Sequence, residues 1–432
     1  MLLRFRFSNF RSFRDEQELS LIAGAFTDQP DVVVHPAGLK EGVLPVAAIY
    51  GANASGKTNL IQAIGFMAAA VSSSHREWRP DGPIPRQPFM TNEESRRDPS
   101  EIEADFLLAG VRHRYGFRID SEAVLEEWLY VYPKAKKQTW FHRKRGKPML
   151  FSNNMPGENR TIENLTRQNS LFLSAAAQNA HEALLPIFTW ISGLLFIIGS
   201  RSAYRERTAG LCNNLDYKNE IARLVSVADL GIAEMRIVNA KLPDQLQKFI
   251  GAVVPILGPQ RRAQLLENAR EMESVYQEIR LLHRFGDSTV PFSMDQESDG
   301  TLAYLALLGP AVDAIKKGTP LLIDELDASL HPLLAIQLLR LFNSPSSNPK
   351  GAQLIFNTHD TNLLSSGVLR RDQIWFTEKG NDATSHLYPL SDFKPRRQEN
   401  LQNGYLQGRY GAIPFINPDA FLLRFEADRV EA

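Results

Sequence analysis

The sequence predicts an α/β fold. A mixed sheet is built from the two ends of the chain, with an antiparallel β arm beside it and a mainly helical segment between. Three observations carry that prediction. A continuous apolar run, "LPVAAIY" (Leu44 to Tyr50), enters a glycine-rich loop and then a helix-patterned stretch from Asn59 to about Val71. The last third alternates helix-patterned stretches with short apolar runs, as parallel sheets with crossover helices do. Between 102 and 132 the pattern is instead three strand-like runs divided by turn residues.

Taken in order, "LLRFRFSNF" and "QELSLIAG" alternate apolar and polar residues and read as two half-buried strands. "LPVAAIY" has no polar side and reads as a strand buried on both faces. After its loop and helix comes a polar, proline-rich stretch, "REWRPDGPIPRQPFMTNEESRRDPS". "IEADFLLAG", "VRHRYGFRI" and "AVLEEWLYVY" then form the arm. From about Gly146 to Ser288 the composition turns helical, with "ALLPIFTWISGLLF" and "YKNEIARLVSVADL" apolar at helical spacing. "RAQLLENAREMESVYQEIRLLHRF" sets Leu265, Ala269, Met272, Tyr276, Ile279 and Leu282 three or four apart. That is one face of an amphipathic helix, either packed on the rest of the chain or projecting as a short coiled-coil arm. The last third predicts a helix from Gly300 to about Ala314 and a strand Pro320 to Ile323. A helix from Pro332 to about Phe342, a strand Ala352 to Phe356, and the strands "DQIWFTE" and "TSHLYPL" follow. The expected division is therefore an N-terminal lobe 1–145, a helical insertion 146–288 and a C-terminal lobe 289–432, with no internal repeat.

Composition bounds the function. The 432 residues exceed one typical core, so more than one lobe is expected. With 49 Lys+Arg against 49 Asp+Glu the net charge is zero, which excludes wholesale electrostatic binding of nucleic acid and leaves only local patches. The candidate patch is "FHRKRGKP" (Phe141 to Pro148); its plainer reading is a solvated hairpin tip. Cys212 is the single cysteine, so an internal disulfide and a cysteine-built metal site are both excluded, and a buried residue in a reducing compartment is expected. The most apolar stretch, "LLFIIG", falls far short of the ~20 residues needed to span a bilayer, and the N-terminus lacks the apolar core of a secretion signal. No membrane association and a cytoplasmic location are the expectation.

The chemistry sits in three stretches. "GANASGKT" (Gly51 to Thr58) satisfies G-x-x-x-x-G-K-[ST] between a buried strand and a helix. Its glycines let backbone approach phosphate oxygens, and its amides with the helix N-terminus form an anion cradle. Gly51, Asn53, Ser55, Gly56, Lys57, Thr58 and Asn59 are the candidate nucleotide-binding residues. Lys57 would neutralise the β- and γ-phosphates, and Thr58 would offer a hydroxyl to Mg2+. "PLLIDELDASLHP" (Pro320 to Pro332) ends its apolar run in Asp324-Glu325, at the strand end where open α/β sheets bind ligands. Asp324 is the second candidate for Mg2+, and Glu325 the candidate general base for an attacking water; the plainer reading is a helix cap. "LIFNTHDTNLL" (Leu354 to Leu364) is a further apolar strand ending near His359, which would donate to the γ-phosphate and the attacking water.

These pieces in this order resemble the ABC-type ATPase heads of the Rad50, SMC and RecF group. They resemble more closely the OLD-like, AAA-15/AAA-21 class of bacterial ATPases, in its RloA/AbiLi-type branch. The stretches that carry the resemblance are "FSNFRSFRDEQELSL", "GANASGKTNLIQAI", "ESDGT", "IDELDASLHP", "QLIFNTHDTNLL", "LRRDQIWFTEK" and "GRYGAIPF". It covers both ends and weakens between roughly 150 and 288. The resemblance implies a P-loop ABC-type ATPase head that uses ATP and Mg2+. Ser298-Asp299-Gly300 then looks like the signature loop, with Asp299 where a glycine is more usual. Ser298 and Gly300 would face the γ-phosphate held by a second copy of the chain, in a head-to-tail dimer or a higher oligomer. Asp327 resembles the residue that communicates across that interface. A carboxylate at Asp299 would repel the γ-phosphate and slow hydrolysis. Gln87 is the candidate glutamine for sensing Mg2+, and Asn9 or Arg11 for touching base or ribose.

ATPase chemistry does not by itself say what the hydrolysis drives. The residues after His359 are too few for the TOPRIM nuclease that OLD enzymes carry, so the effector is expected to be a separate toxin or nuclease from an adjacent gene. The chain would then be a sensor or regulator in an anti-phage, abortive-infection or toxin–antitoxin system, with a phage protein or DNA as a further partner. The alternative is a RecF- or Rad50-like DNA-repair ATPase that binds DNA directly through the basic run.

Overall fold

A computed structural model describes residues 1–414 apart from 200–201, 229–230, 240–243, 257, 259–261, 263–264 and 266–276. The chain opens with β1 (Leu2–Ser8) and β2 (Gln17–Ser20) and runs through β3 (Val46–Gly51) into the helix Lys57–Glu77. The arm strands follow as β4 (Ser100–Leu108), β5 (Val111–Ile119), β6 (Val124–Tyr132), β7 (Gln138–Lys144) and β8 (Leu150–Phe151). The middle of the chain carries the helices Asn159–Leu165, Phe172–Gln178 and Leu185–Ser192, then β9 (Leu195–Ile197). The helices Ser202–Leu211 and Leu215–Ser226, β10 (Ile232–Asn239), the helix Asp244–Val253, β11 (Gln277–Phe285) and β12 (Ser288–Phe292) complete it. The last third alternates the helix Asp299–Lys317, β13 (Pro320–Ile323), the helix Pro332–Asn343 and β14 (Gln353–Asn357). β15 (Ile374–Lys379), β16 (Ser385–Pro389) and the short helix Leu401–Leu406 end the described chain.

Among the described residues the strands form three sheets. The central one has the order β16-β15-β3-β14-β13-β9. Every pairing in it is parallel except β15 with the edge strand β16. Five of its strands come from the two ends of the chain, as the α/β alternation requires, and β9 comes from the middle. A second, antiparallel sheet joins β1 and β2 to the arm in the order β2-β1-β4-β5-β6-β7-β8. β10, β11 and β12 form a small third sheet.

The two-sided burial expected of "LPVAAIY" has a direct structural counterpart. Ala47 and Ile49 of β3 face one core, shared with Phe5, Phe7 and Phe13 of the N-terminal segment and with Leu60 and Ile64 of the first helix. Val46, Ala48 and Tyr50 face the other, shared with Leu305 and Leu308 of the Asp299 helix and Leu338 of the Pro332 helix. β13 and β14 divide likewise, Leu322 and Ile355 to the first core and Leu321, Ile323, Leu354 and Phe356 to the second. A parallel strand covered on both faces has no polar side to show.

The helical reading of 146–288 is corrected: β8, β9, β10 and β11 lie within it, and β9 and β11 fall in stretches read as helix. "ALLPIFTWISGLLF" is not one helix: the helix stops at Ser192, Gly193 caps it, and Leu195–Ile197 becomes β9, the edge of the central sheet beside β13. The helix expected to run into "EIRLLHRF" is also absent there, since Gln277–Phe285 is a strand paired on both sides. In that stretch Ile279 has Leu282 at helical spacing and Leu281 at strand spacing, and all three are buried. Sheet pairing decides such a short run. Ala269, Met272 and Tyr276 lie outside the described residues. Cys212 is buried, as expected. Among the described residues no helix is long and apolar enough to cross a membrane.

Candidate functional site

The candidate site lies at the C-terminal ends of β3, β13 and β14, three neighbours in the parallel sheet. β3 delivers the glycine-rich loop. Gly51 ends the strand, Asn53 is exposed at the tip, and Gly56 caps the helix that begins at Lys57. Gly56 has φ 115, and a Cβ there would meet Ser385 Oγ at 2.8 Å, so any larger residue would both strain the backbone and collide. Ala54 also takes a left-handed conformation, φ 61. Ser55 Oγ lies 2.6 Å from Thr377 Oγ1 of β15, which ties the loop to the sheet.

Lys57 is 6% exposed, and its ammonium donates to the carbonyls of Gly51 at 2.8 Å and Ala52 at 2.9 Å. Burial lowers its pKa to about 8, against the opposing pull of Asp327, Glu325 and Asp324. Thr58 Oγ1 donates to Asp324 Oδ1 across 2.9 Å, joining the glycine-rich loop to the end of β13. Two oxygens bound side by side on an octahedral Mg2+ with ligand distances of about 2.1 Å stand about 3.0 Å apart. The pair therefore fits the cation that such loops recruit. Among the described residues no cluster of three or more His, Cys, Asp or Glu side chains could hold a metal.

Asn357, the last residue of β14, was not singled out from the sequence, yet it organises the acidic pair. Its amide donates to Asp324 Oδ1, and its carbonyl oxygen accepts from the Glu325 backbone N–H at 2.6 Å. It is fully buried. The signal was present as a polar residue closing the apolar run "QLIF". Glu325 itself has φ 54, a left-handed conformation that costs about 1–3 kcal/mol for a non-glycine residue and recurs at ligand sites.

His359 follows β14 directly. Its backbone N–H reaches Asp327 Oδ1 and Oδ2 at 3.2 and 3.3 Å. Its pKa is lowered by burial and then by the Lys57 charge, with Asp327 and Glu325 pulling the other way. Lys57, His359, Asp324, Glu325 and Asp327 thus share one electrostatic neighbourhood.

The remaining candidates lie around this centre. Arg11 links two of them. Its guanidinium donates to the Gln87 side-chain oxygen and to Asn59 Oδ1 at 3.4 Å, while Asn59 Nδ2 donates to Ser12 Oγ at 2.7 Å. Gln87 is therefore tied to the first helix through Arg11. Asn9, an alternative base or ribose contact, is corrected to a structural residue. It is 5% exposed, its amide donates to the carbonyls of Ser95 and Asp98, and its oxygen accepts from Phe89 N–H. Ser298 caps the Asp299–Lys317 helix, its Oγ accepting from Thr301 N–H at 3.1 Å. Ser298 and Asp299 are exposed, and Gly300 sits beside the Ser329 carbonyl that follows Asp327.

The basic run "FHRKRGKP" is largely neutralised. Lys144 pairs with Glu126 at 3.2 Å, and Arg145 with Asp120 at 3.5 Å and Glu122 at 3.9 Å. Arg143 is turned inward, donating to the carbonyls of Ser170 and Arg167.

Two comparisons with known proteins bear on this arrangement. Residues 46–365 match the family described as "AAA domain, putative AbiEii toxin, Type IV TA system". The match begins at the first residue of β3 and extends past His359, so it takes in the glycine-rich loop, the Asp324-Glu325 pair and Asn357. No curated protein matches the chain.

Proposed function

The chain belongs to this AAA-domain family, and on that premise we propose that it hydrolyses ATP with Mg2+ in a head-to-tail pair or higher oligomer of itself. In this reading it governs a separate effector, a toxin or nuclease from an adjacent gene, in an anti-phage abortive-infection system of the cytoplasm. Residues 1–145 and 289–432 form one ABC-type head, β9 adds the edge strand of its sheet, and the rest of 146–288 is an insertion into it. The observation that carries the reading is the 2.9 Å approach of Thr58 to Asp324. It brings together a glycine-rich-loop hydroxyl and a strand-end carboxylate, the two groups that would hold Mg2+ in this reading.

The roles follow from that geometry. The amides of the loop and the Lys57 ammonium bind and orient the phosphates. Thr58 and Asp324 would hold Mg2+, which when bound would neutralise charge developing on the phosphates. Glu325 accepts the proton of the attacking water, with its backbone fixed by Asn357. His359 donates toward the γ-phosphate, and Asp327 fixes its loop. Gln87, linked through Arg11, senses the cation. Ser298 and Gly300 complete the site of the second copy; the exposure of Ser298 at a helix N-terminus supports that assignment. The family description supports the toxin–antitoxin setting.

Two experiments test the reading. Lys57→Ala should abolish phosphate release from ATP, and the chain should copurify with the product of the adjacent gene. Phosphate release by Lys57→Ala at the unsubstituted rate would remove the site assignment, and purification without any partner would remove the effector.

A further inference from the structure

The stretch "NGYLQGRYGAIP", residues 403–414, lies beyond the residues matched to the family and is used by none of the roles above. Its folding is specified locally. The Asn400 side chain caps the helix Leu401–Leu406 by accepting from Asn403 N–H. Gly404 lets the Tyr410 ring return against the helix, since a Cβ at 404 would stand 2.8 Å from the Tyr410 hydroxyl. Tyr405 and Tyr410 then stack on Phe376 of β15, at ring distances of 5.5 and 5.8 Å and interplanar angles of 16° and 21°. Tyr388 of β16 donates to the Tyr410 carbonyl at 3.0 Å.

This cluster reaches the nucleotide site at two points. The Tyr405 ring stands edge-on to Tyr50, the residue before Gly51, which sets its hydroxyl beside the Gly51 backbone, and that hydroxyl donates to the Ala412 carbonyl at 3.1 Å. Tyr405 thereby holds the residue at which β3 turns into the phosphate loop. Gln402 Nε2 donates to Thr361 Oγ1 at 3.2 Å, two residues past His359. Between these points lies Tyr50, fully buried, its ring edge-on to Tyr405 at 5.8 Å and its hydroxyl donating to the Asp360 carbonyl at 3.2 Å. One aromatic cluster therefore fixes the entrance of the phosphate loop and the loop carrying His359 in a common frame.

We propose that residues 401–414 are a positioning element for the nucleotide site, with Tyr405 acting through Gly51 and Gln402 acting through the loop behind His359. This rests on the assignment of Gly51 to Thr58 as the nucleotide loop. It assigns separate consequences to the two contacts. The Gly51 contact shapes the cradle that any nucleotide enters, so it governs binding. The Thr361 contact shapes only the loop that presents His359, so it governs turnover.

The test uses the full chain and two conservative variants, Tyr405→Phe, which removes one hydroxyl and keeps the stacked ring, and Gln402→Ala, on a partly exposed helix face. ADP affinity is measured by calorimetry, kcat and KM for ATP by phosphate release, and thermal midpoints by calorimetric scan. A single lost hydrogen bond predicts an effect of about fivefold in each case. Tyr405→Phe should weaken ADP binding by about that factor, and Gln402→Ala should lower kcat by about that factor with ADP affinity unchanged. The proposal is overturned if both variants behave as the parent. It is also overturned if losses track the thermal midpoint and disappear on cooling, since that marks a general loss of stability. ADP affinity is independent of turnover, so a parent chain that binds ADP without hydrolysing ATP would contradict the proposed function while Tyr405→Phe still decides this point. A chain that binds no nucleotide would overturn both.

Discussion

Thr58 Oγ1 donates to Asp324 Oδ1 across 2.9 Å, although 266 residues separate them in the chain. Asn357 closes the same cluster from a third strand, bonding Asp324 with its amide and the Glu325 N–H with its oxygen. Lys57, Glu325 and His359 gather around this link, and the mechanism proposed above depends on it.

Asn357 is the least conspicuous member and gives a sharp prediction. Asn357→Ala leaves Asp324 and the Glu325 N–H without their buried partner, which should cost about 1–3 kcal/mol of stability. It should also raise the Mg2+ concentration needed for half-maximal turnover by about 10- to 100-fold, as loss of a residue that orients a metal ligand does. A Mg2+ titration of ATPase activity checks this; an unchanged midpoint would show that Asn357 only supports the fold.

The Lys57 pKa, lowered to about 8 by burial, sets a pH window. Its folded value lies below the ordinary 10.5, so burying the charged form costs stability below about 8, and that cost is relieved as pH rises from 8 toward 10.5. Phosphate favours the charged form. Nucleotide binding should therefore weaken as pH rises through about 8 and should take up protons there. Calorimetry of ADP binding at about pH 8.5 in buffers of different ionisation enthalpy should report net proton uptake, absent in Lys57→Ala. Equal apparent enthalpies across buffers for the unsubstituted chain would contradict the assignment.

Asp299 is an exposed carboxylate at the start of the Asp299–Lys317 helix. If a second copy presents it to a γ-phosphate, Asp299→Asn removes a repulsion of about 1 kcal/mol and should raise kcat by about fivefold. The same change removes a negative charge from a helix N-terminus and should lower stability by about 0.3–1 kcal/mol. Faster turnover in a slightly less stable chain is the expected pair of results; turnover that falls with stability would place Asp299 outside the reacting interface.

The pairing of Lys144 and Arg145 with Glu126, Asp120 and Glu122 predicts weak duplex binding. Affinity for duplex DNA near physiological salt should be low, and Ala substitutions at both positions should leave it unchanged. Tight, steeply salt-dependent binding that those substitutions abolish would favour the DNA-repair alternative.

The ends of the chain were legible because their signals are local. Gly51 to Thr58 carries the complete phosphate-loop pattern in eight residues, and the apolar runs of β3, β13 and β14 have no polar face to mislead. Asn357 was hidden because its partners lie on another strand, so only the register of β13 against β14 brings them together. β11 reads as helix because Ile279 and Leu282 keep helical spacing while Ile279 and Leu281 keep strand spacing, and pairing with β10 and β12 decides between them. β9 was hidden by its length, three residues after a helix of the same apolar character. The contact of Tyr405 with Gly51 spans most of the chain, and nothing in the local pattern around either residue points to the other.

The central claim is that two copies pair around ATP, each completing the other's site with Ser298. The most direct measurement is the mass of the Glu325→Gln chain by light scattering, with and without ATP and Mg2+, beside the same chain carrying Ser298→Arg. The account predicts an ATP-dependent rise to a dimer or larger assembly in the first and a mass indifferent to ATP in the second, with nucleotide bound by both. Equal masses with and without bound ATP in the first, or ATP-driven assembly that survives Ser298→Arg, would contradict it.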